Sequence, residues 1–356
     1  MSTLTFNSAV LHQLNTPLKI HSVSPPDNIN LGQILVRVIA TAICGSQVGE
    51  VAGIKGIDKY LPHLLGHEAL VQIVDSTDSP YLSSGDFAIA HWIKGAGRSG
   101  GPIKYNSEDS SINAGEIATF SEYALISENR LTKIDSDLVE EFGTIFLSTI
   151  GCAYLTAYGV IKNTIGLKKM DNVLLVGGGG VCQAMVVLLL SLGKKNITVI
   201  ESSRVRKEYL LSLGVQDVFN NVEDILTSRN SFLAAVDFTG RPKEIEAAYE
   251  NLRTDGTLAL VGVTPIGQKI SIDPMPLHYG KEIHGVYGGN STPNADIPQI
   301  LSILSSKKDL LEKLNYKVLN LSEINLGMEL VQNALIPGRV VIDLLQKSSD
   351  VDVSLL

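Results

Sequence analysis

Cysteine is scarce in this sequence. The 356 residues include three cysteines, Cys44, Cys152 and Cys182, and a sparse, odd set in a long chain does not indicate a disulfide framework. Met1 to Val10 also lack the positive segment followed by an apolar segment that marks a secretory signal. We therefore expect a cytoplasmic protein whose thiols stay reduced and free to bind a metal ion.

An excess of positive charge is absent as well. The chain has 29 Lys and Arg against 37 Asp and Glu, which leaves a net charge of -8. An acidic surface repels phosphate and anionic lipid, so neither nucleic acid nor a membrane is an expected partner. Only Val173–Leu192 is long and uncharged enough to suggest a membrane span, and Gly177–Gly180 interrupts it. That segment is better explained as a buried strand, a glycine turn and a buried helix.

The sequence does contain two regions of different periodicity. The first has short β-rich runs at Ile34–Val38, Leu70–Val74 and Phe87–Ala90, and a Gly-, Ser- and Asn-rich stretch at 94–115 that we expect to be a long loop or lobe. After Ala153, strands and helices alternate, which predicts a parallel sheet with helices on both faces. The expected fold class is thus α/β, a β-rich domain joined to a doubly wound parallel sheet. The expected segments are strands at 173–176, 197–200, 235–238, 258–261, 317–319 and 340–344, and helices at 181–192, 204–213, 297–304 and 324–333, with another beginning at Pro242.

A glycine-rich turn lies between the first strand and helix of the second region. Gly177 and Gly179 occupy the first two positions of the pattern G-x-G-x-x-G, and Cys182 replaces the third glycine. The backbone N–H groups of Gly180 and Val181, where the helix begins, would hold a pyrophosphate. About twenty residues further on, Glu201 ends the next strand.

A carboxylate at a strand end in this position accepts hydrogen bonds from ribose hydroxyls and repels a 2′-phosphate. Glu201 therefore favours NAD over NADP, although Arg204 and Arg206 lie nearby and could attract a 2′-phosphate.

Cys44, His67 and Cys152 are separated in sequence, but together they supply two thiolates and an imidazole. Zinc accepts such ligands, and three protein ligands leave a fourth position open for catalysis. We expect one catalytic zinc and no structural zinc. His63 lies four residues before His67, but Pro62 and Gly66 argue against a shared helix face and hence against a metal-binding pair.

The sequence resembles the zinc-containing alcohol and polyol dehydrogenase branch of the medium-chain dehydrogenase/reductase superfamily. The resemblance implies a GroES-like catalytic domain at 1–153 and 287–356 and a Rossmann domain at 154–286, and it makes Cys44, His67 and Cys152 the catalytic zinc ligands. It rests on Ile43-Cys44-Gly45-Ser46, Leu65-Gly66-His67-Glu68, Gly85-Asp86, Thr119-Phe120-Ser121-Glu122-Tyr123, 151–159, the glycine turn and Pro337-Gly338-Arg339-Val340-Val341.

The same resemblance assigns further roles by position. Ser46 matches the hydroxyl that hydrogen-bonds the substrate oxygen, and Glu68 matches an acidic neighbour of the metal. Thr156 matches a residue beside the nicotinamide, Arg339 one that reaches the pyrophosphate, and Trp92 a substrate-pocket aromatic. The alternative for Ser46 is a helix cap, a common role for serine.

Three positions depart from the family pattern. Gln47 stands where an aspartate often supports the ligand histidine, and an amide raises the basicity of that ligand less. Gly49 replaces a histidine that often completes the proton relay. No cysteine occurs between Trp92 and Ser121, where four usually bind a structural zinc.

The sequence therefore predicts a zinc-dependent NAD(H) oxidoreductase that transfers a hydride between nicotinamide and an alcohol or carbonyl, assembled as a homodimer or homotetramer. Gln47 and Gly49 suggest a roomy, polar site and hence a polyol, sugar or cyclitol derivative as substrate. Two alternatives stay open: a zinc-free reductase of the quinone or enoyl type, and a catalytically silent dinucleotide-binding protein.

Overall fold

The computed structural model describes residues 4–76, 79–108, 111–228 and 231–345, without side chains at 226–228. In chain order, its strands are β1 (Phe6–Leu11), β2 (Lys19–Val23), β3 (Gln33–Ala42), β4 (His63–Leu64), β5 (Glu68–Asp75), β6 (Phe87–His91), β7 (Ile103–Asn106), β8 (Ser111–Gly115), β9 (Tyr123–Ser127), β10 (Leu131–Ile134), β11 (Val173–Val176), β12 (Ile197–Ile200), β13 (Asp217–Phe219), β14 (Phe232–Asp237), β15 (Leu252–Leu260), β16 (Glu282–Gly285), β17 (Tyr316–Leu319) and β18 (Arg339–Asp343).

The α-helices are α1 (Gly45–Val51), α2 (Ser136–Phe142), α3 (Thr144–Leu147), α4 (Leu155–Gly159), α5 (Gly180–Ser191), α6 (Arg204–Leu213), α7 (Pro242–Asn251), α8 (Met275–His278), α9 (Pro293–Ser305), α10 (Lys308–Leu311) and α11 (Ile324–Gln332). Among the described residues, we find no helix with the length and apolar character needed to cross a membrane.

The β-rich region folds into two sheets. One has the strand order β2-β1-β4-β8-β7, and the other has the order β10-β6-β5-β3-β18-β17, with β9 also paired to β3. Because side chains alternate along a strand, Ile34, Val36 and Val38 share one face of β3 and pack in a buried cluster with Val71 and Ile73. The end of the chain completes this region, since β18 pairs antiparallel with β3.

The second region is a six-stranded sheet with the order β13-β12-β11-β14-β15-β16, in which every neighbouring pair is parallel. This is the 3-2-1-4-5-6 order of a Rossmann sheet. The expected α/β fold class is confirmed. The boundaries of α6 match the prediction, and Gly214 ends that helix in a left-handed conformation with φ 114°.

A continuous helical segment that the sequence analysis missed connects the two regions. It consists of π-helical turns at Ile150–Tyr154, then α4, then π-helical turns at Val160–Ile165. Most of its side chains are buried on every side, so no amphipathic period marks it in the sequence.

The stretch at 94–115 also differs from expectation. It is not only a loop, because it contains β7 and ends with β8. These two strands pair antiparallel at the edge of the first sheet, where Tyr105 and Ile112 are fully buried. They were missed because each strand is only four or five residues long.

Candidate metal and cofactor site

The structure brings the three predicted metal ligands together. The ligand atoms of Cys44, His67 and Cys152 all lie within 4.8 Å of one another. Cys44 follows β3 and is the N-cap of α1, His67 immediately precedes β5, and Cys152 lies in the first turns of the connecting helix. Three separate elements therefore converge on one point.

Two glycines make this convergence possible. Gly66 has φ 97°, and a Cβ atom there would lie 2.6 Å from the backbone nitrogen of Phe120. At Gly151 a Cβ atom would collide with the carbonyl oxygen of Ala90 in β6. Only glycine fits either position, so His67 and Cys152 each follow a residue that allows a tight turn or a close backbone approach.

The chemistry of these three side chains fits a zinc ion. The Nε2 atom of His67 is buried and has no hydrogen-bond partner in the described part of the chain. A buried, unpaired ring nitrogen is costly, and a metal ion would satisfy it. The hydrogen bond from the Cys152 thiol, with further help from His67, lowers the pKa of Cys44 well below its usual value, which favours the thiolate that zinc requires.

Glu68 and Arg339 lie directly behind the metal ligands. The fully buried Glu68 carboxylate accepts a hydrogen bond from the Cys152 N–H at 3.0 Å and forms an ion pair with Arg339. Burial raises the pKa of Glu68, and the Arg339 charge acts in the opposite direction. Arg339 also lines the cavity that contains Gly179 and Gly180, and its predicted contact with a pyrophosphate stays a prediction. Its stem packs against Gly180, where a Cβ atom would lie 2.7 Å from the Arg339 Cδ.

Ser46 is not a helix cap, so that alternative is wrong. Cys44 is the N-cap of α1, and Ser46 is the second residue of the helix. Its hydroxyl donates to the Cys44 sulfur at 3.4 Å and lines a cavity beside the metal ligands. The hydroxyl is therefore placed at the metal site, where the predicted relay role requires it.

Gln47 and Gly49 do not make the site polar or roomy as the sequence analysis supposed. The Gln47 Oε1 accepts a hydrogen bond from the Cys44 N–H at 2.8 Å, so the amide caps α1. No hydrogen bond joins Gln47 to His67 among the described residues. The space beside Gly49 is filled by Ile54, whose Cδ1 would lie 2.5 Å from a Cβ atom there.

The Glu201 carboxylate is hydrogen-bonded to the glycine turn. The Oε2 of Glu201 accepts a hydrogen bond from the Gly178 N–H at 2.9 Å, and Oε1 accepts one from the Ser203 N–H at 2.6 Å. Gly179 is the N-cap of α5, so the N–H groups of Gly180 and Val181 have no acceptor within the helix, and their predicted contact with a pyrophosphate stays a prediction. Cys182 is fully buried, and its small side chain fits the position of the missing third glycine.

Two adjoining cavities connect the metal ligands to this turn. The first, of about 310 Å³, is lined by Cys44 and Ser46 together with Gly179, Gly180 and Val181. The second, of about 510 Å³, continues past the turn to Glu201. Together they form one cleft, which we call the cofactor cleft.

Sequence reasoning missed some of the residues that line this cleft. Phe238 and Thr239 line both cavities and follow the carboxyl end of β14, next to the central strand β11. Ligands bind at such carboxyl ends, and this rule would have identified them. Arg206 also lines both cavities, and its Nε atom is buried without a partner in the described part of the chain. Arg204 instead points outward and pairs with Glu208.

The two remaining predicted site residues lie outside the lining of these cavities. Thr156 is buried one turn beyond Cys152, in α4. Trp92 follows β6, where its ring meets the ring of Tyr287 edge-on at 4.8 Å between centroids. The predicted substrate and nicotinamide contacts of these two residues stay predictions.

Comparisons with known proteins agree with this architecture. Residues 30–136 match the family described as alcohol dehydrogenase GroES-like domain, and residues 180–306 match the zinc-binding dehydrogenase family. The chain belongs to the zinc-containing alcohol and polyol dehydrogenase branch of the medium-chain dehydrogenase/reductase superfamily, and it is an alcohol dehydrogenase-like oxidoreductase.

Solved structures share the fold over nearly the whole chain. Benzyl alcohol dehydrogenase from Acinetobacter calcoaceticus has a TM-score of 0.81 at 21% identity and covers 96% of this chain and 99% of its own. An alcohol dehydrogenase zinc-binding domain protein from Burkholderia ambifaria has a TM-score of 0.82 at 20% identity and covers 97% of this chain and 100% of its own. The alcohol dehydrogenase from the archaeon Aeropyrum pernix has a TM-score of 0.76 at 21% identity and covers 95% of this chain and 99% of its own.

Proposed function

We propose that this protein is a zinc-dependent NAD(H) oxidoreductase that interconverts an alcohol and its carbonyl. The observation that carries the proposal is the cofactor cleft, which is lined by Cys44 and Ser46 together with the glycine turn. A cofactor whose pyrophosphate rests on the Gly180 and Val181 N–H groups extends along this cleft toward the metal ligands.

Cys44, His67 and Cys152 would hold a zinc ion, which would supply Lewis-acid chemistry to the oxygen of a bound alcohol or carbonyl. The protein's own groups do the rest. The Ser46 hydroxyl, next to Cys44, receives the alcohol proton, since a hydroxyl is both acceptor and donor. Ser46 passes its own hydroxyl proton on to water in the cleft, because Gly49 has no side chain to accept it and Ile54 fills the space beside Gly49.

Zinc content and turnover together test this proposal. The enzyme, purified without chelator, should contain one more zinc ion than Cys152→Ser, and it should form NADH with an alcohol substrate. A wild-type enzyme that turns over fully without zinc would favour the zinc-free reductase. A zinc-containing protein with no activity on any alcohol or carbonyl would favour the silent binding protein.

Glu201 supports NAD as the cofactor. Both of its oxygens retain acceptor capacity beyond the two backbone N–H groups, so ribose hydroxyls can bind there, whereas a 2′-phosphate meets a buried carboxylate. Structural neighbours have been solved with either cofactor: acetophenone reductase from Geotrichum candidum with NAD, and CAD from Helicobacter pylori with NADP(H). The cofactor preference of this chain therefore depends on whether repulsion of a 2′-phosphate by Glu201 outweighs its attraction by Arg206. The ratio of kcat/KM for NAD and NADP measures this preference.

The cavity beside Ser46 favours an alcohol with an apolar substituent over a polyol. Ile43, Ile54 and Val263 line it, while the polar Gln47 amide is used to cap α1. A panel of aliphatic, aromatic and polyhydroxy alcohols, compared by kcat/KM, tests this preference. A polyol that outperforms every apolar alcohol would restore the interpretation made from the sequence.

The edge of the parallel sheet supports the predicted homo-oligomer. β16 is the edge strand, and the exposed apolar side chains Met275, Tyr279 and Tyr287 lie close to it in sequence. An exposed edge with apolar side chains beside it is a site for pairing with a second copy. Sedimentation should show a dimer or tetramer, and Tyr279→Lys, which places a charge among these exposed apolar side chains, should shift it toward monomer.

A further inference from the structure

A second group of metal-type ligands lies outside the catalytic site. Glu50, Asp58 and His63 each offer one ligand atom, and these atoms lie within 4.8 Å of one another. The His63 Nε2 is 2.8 Å from the Asp58 Oδ2 and 4.0 Å from the Glu50 Oε1. Two ligands of one tetrahedral zinc ion are about 3.4 Å apart, given bonds of about 2.1 Å, so these separations bracket what a shared ion requires.

The histidine ring is fixed in the orientation that a metal ligand needs. His63 is buried in β4, and its Nδ1 lies 3.0 Å from the Leu64 carbonyl oxygen. A carbonyl oxygen only accepts, so Nδ1 carries a hydrogen and Nε2 is directed at the Asp58 carboxylate. Metal-binding histidines are commonly held by this hydrogen bond from the other ring nitrogen to a carbonyl.

Two carboxylates face one imidazole in this cluster, which favours a bound cation. With a neutral ring, the lone pair of Nε2 and a lone pair of Asp58 Oδ2 oppose each other at 2.8 Å. A proton on Nε2 would relieve that contact but would balance only one of the two carboxylates. In the described ranges, no Lys or Arg forms an ion pair with Glu50 or Asp58. A divalent ion balances both carboxylates.

Asp58 is also positioned from outside the cluster. Its Oδ1 accepts a hydrogen bond from the Tyr60 N–H at 2.8 Å, which directs Oδ2 toward His63. Glu50 lies in the last turn of α1, and its side chain is 34% exposed, so it can rotate to close the longer separation.

We propose that Glu50, Asp58 and His63 form a second divalent-cation site, suited to zinc or a similar transition ion. An imidazole with two carboxylates matches such ions, and water would complete the coordination. The proposal goes beyond the proposed function and does not depend on it, but it revises the expectation of a single metal ion per chain.

The position of this site gives the ion a structural role near the cofactor cleft. The segment between α1 and β4 also touches the parallel-sheet region, because the Ile266 N–H donates to the Ile54 carbonyl at 3.4 Å. Ile54 itself lines the cofactor cleft. An ion bound by Glu50 on α1, Asp58 in this segment and His63 in β4 would fix the segment at the mouth of the cleft.

Zinc stoichiometry after dialysis against micromolar zinc tests the proposal on the full-length protein. Wild type should bind two zinc ions, Asp58→Asn one, and Cys152→Ser one. The matched control is Asp309→Asn, an exposed aspartate of α10 with no ligand neighbours in the described structure, which should keep two. If Asp58→Asn fails to fold, Glu50→Gln replaces it, because its side chain is partly exposed and the amide keeps its shape.

The pattern of results separates this site from the catalytic one. One zinc in wild type that Asp58→Asn and Glu50→Gln leave in place overturns the second site. The second site is also overturned if wild type, Asp58→Asn and Glu50→Gln all bind two zinc ions. One zinc in wild type, none in Asp58→Asn and one in Cys152→Ser would instead support the second site and contradict the proposed catalytic zinc.

Discussion

The buried ion pair between Glu68 and Arg339 allows a quantitative prediction. The two side chains come from β5 and β18, and their exposed fractions are 0% and 10%. Arg339→Met keeps most of the stem that packs on Gly180 and removes the guanidinium. Among the described residues, the Glu68 carboxylate then keeps two partners, the Cys152 N–H at 3.0 Å and the Ala153 N–H at 3.4 Å, and stays buried.

The expected loss follows from leaving one charge of the pair without its partner. Removing one member of a buried ion pair costs about 3–5 kcal/mol in the free energy of unfolding. For a domain of this size, that loss corresponds to a drop of roughly 6–20 °C in Tm. Replacing Glu68 by Gln in the Arg339→Met background should restore stability, because the buried carboxylate that lacks a partner is then gone.

Thermal unfolding of the zinc-loaded enzyme without cofactor measures all four members of this double-mutant cycle. Equal and additive Tm changes for the two single substitutions would refute the coupling. An Arg339→Met enzyme with unchanged Tm but much weaker NADH binding would show that Arg339 serves the pyrophosphate instead, as the sequence analysis expected.

Four further predictions follow from the same geometry. Ser46→Ala should lower kcat by about two to four orders of magnitude with zinc content and Tm nearly unchanged, and normal turnover would contradict the relay role. Glu201→Ala should reduce the NAD preference measured by kcat/KM and also weaken NADH binding, because Gly178 loses its acceptor; Glu201→Gln is the milder control. Gly159→Ala should lower Tm sharply, since a Cβ atom would collide with Ser291, whereas Gly45→Ala meets no atom within 4 Å and should fold normally. Burial lowers the pKa of His91 to about 4, so stability should fall by about 1.4 kcal/mol per pH unit as pH drops from about 6.5 to 4, and His91→Gln should lack that component of the Tm profile.

Sequence patterns predicted the strands, helices and turns that are determined by residues close together in the chain. The alternation of strands and helices after 153 and the glycine turn before α5 depend on neighbouring residues, and the structure contains them close to the expected bounds. The convergence of Cys44, His67 and Cys152 was predicted from the chemistry of the three side chains and the family motifs.

The contacts that sequence reasoning did not predict are long-range. Arg339 and Glu68 are 271 residues apart, and nothing local to either indicates an ion pair. The role of Gln47 was misjudged because a polar side chain at this position can either cap α1 or contact His67. The sequence does not show which of the two contacts it makes. The helical segment at 150–165 was missed because full burial removes the periodicity that reveals a surface helix.

That helical segment has a mechanical consequence. It carries Cys152 and, four residues later, Thr156, so their Cα atoms are separated by about 6 Å at a helical rise of about 1.5 Å per residue. The proposed domain boundary at 153/154 falls inside this hydrogen-bonded segment rather than in a loop. If the two domains rotate against each other, the helix acts as a fixed spacer and the bending has to occur at other connections, such as the chain after β16. The distance from the metal ligand to the predicted nicotinamide residue would then be the same in an open and a closed enzyme.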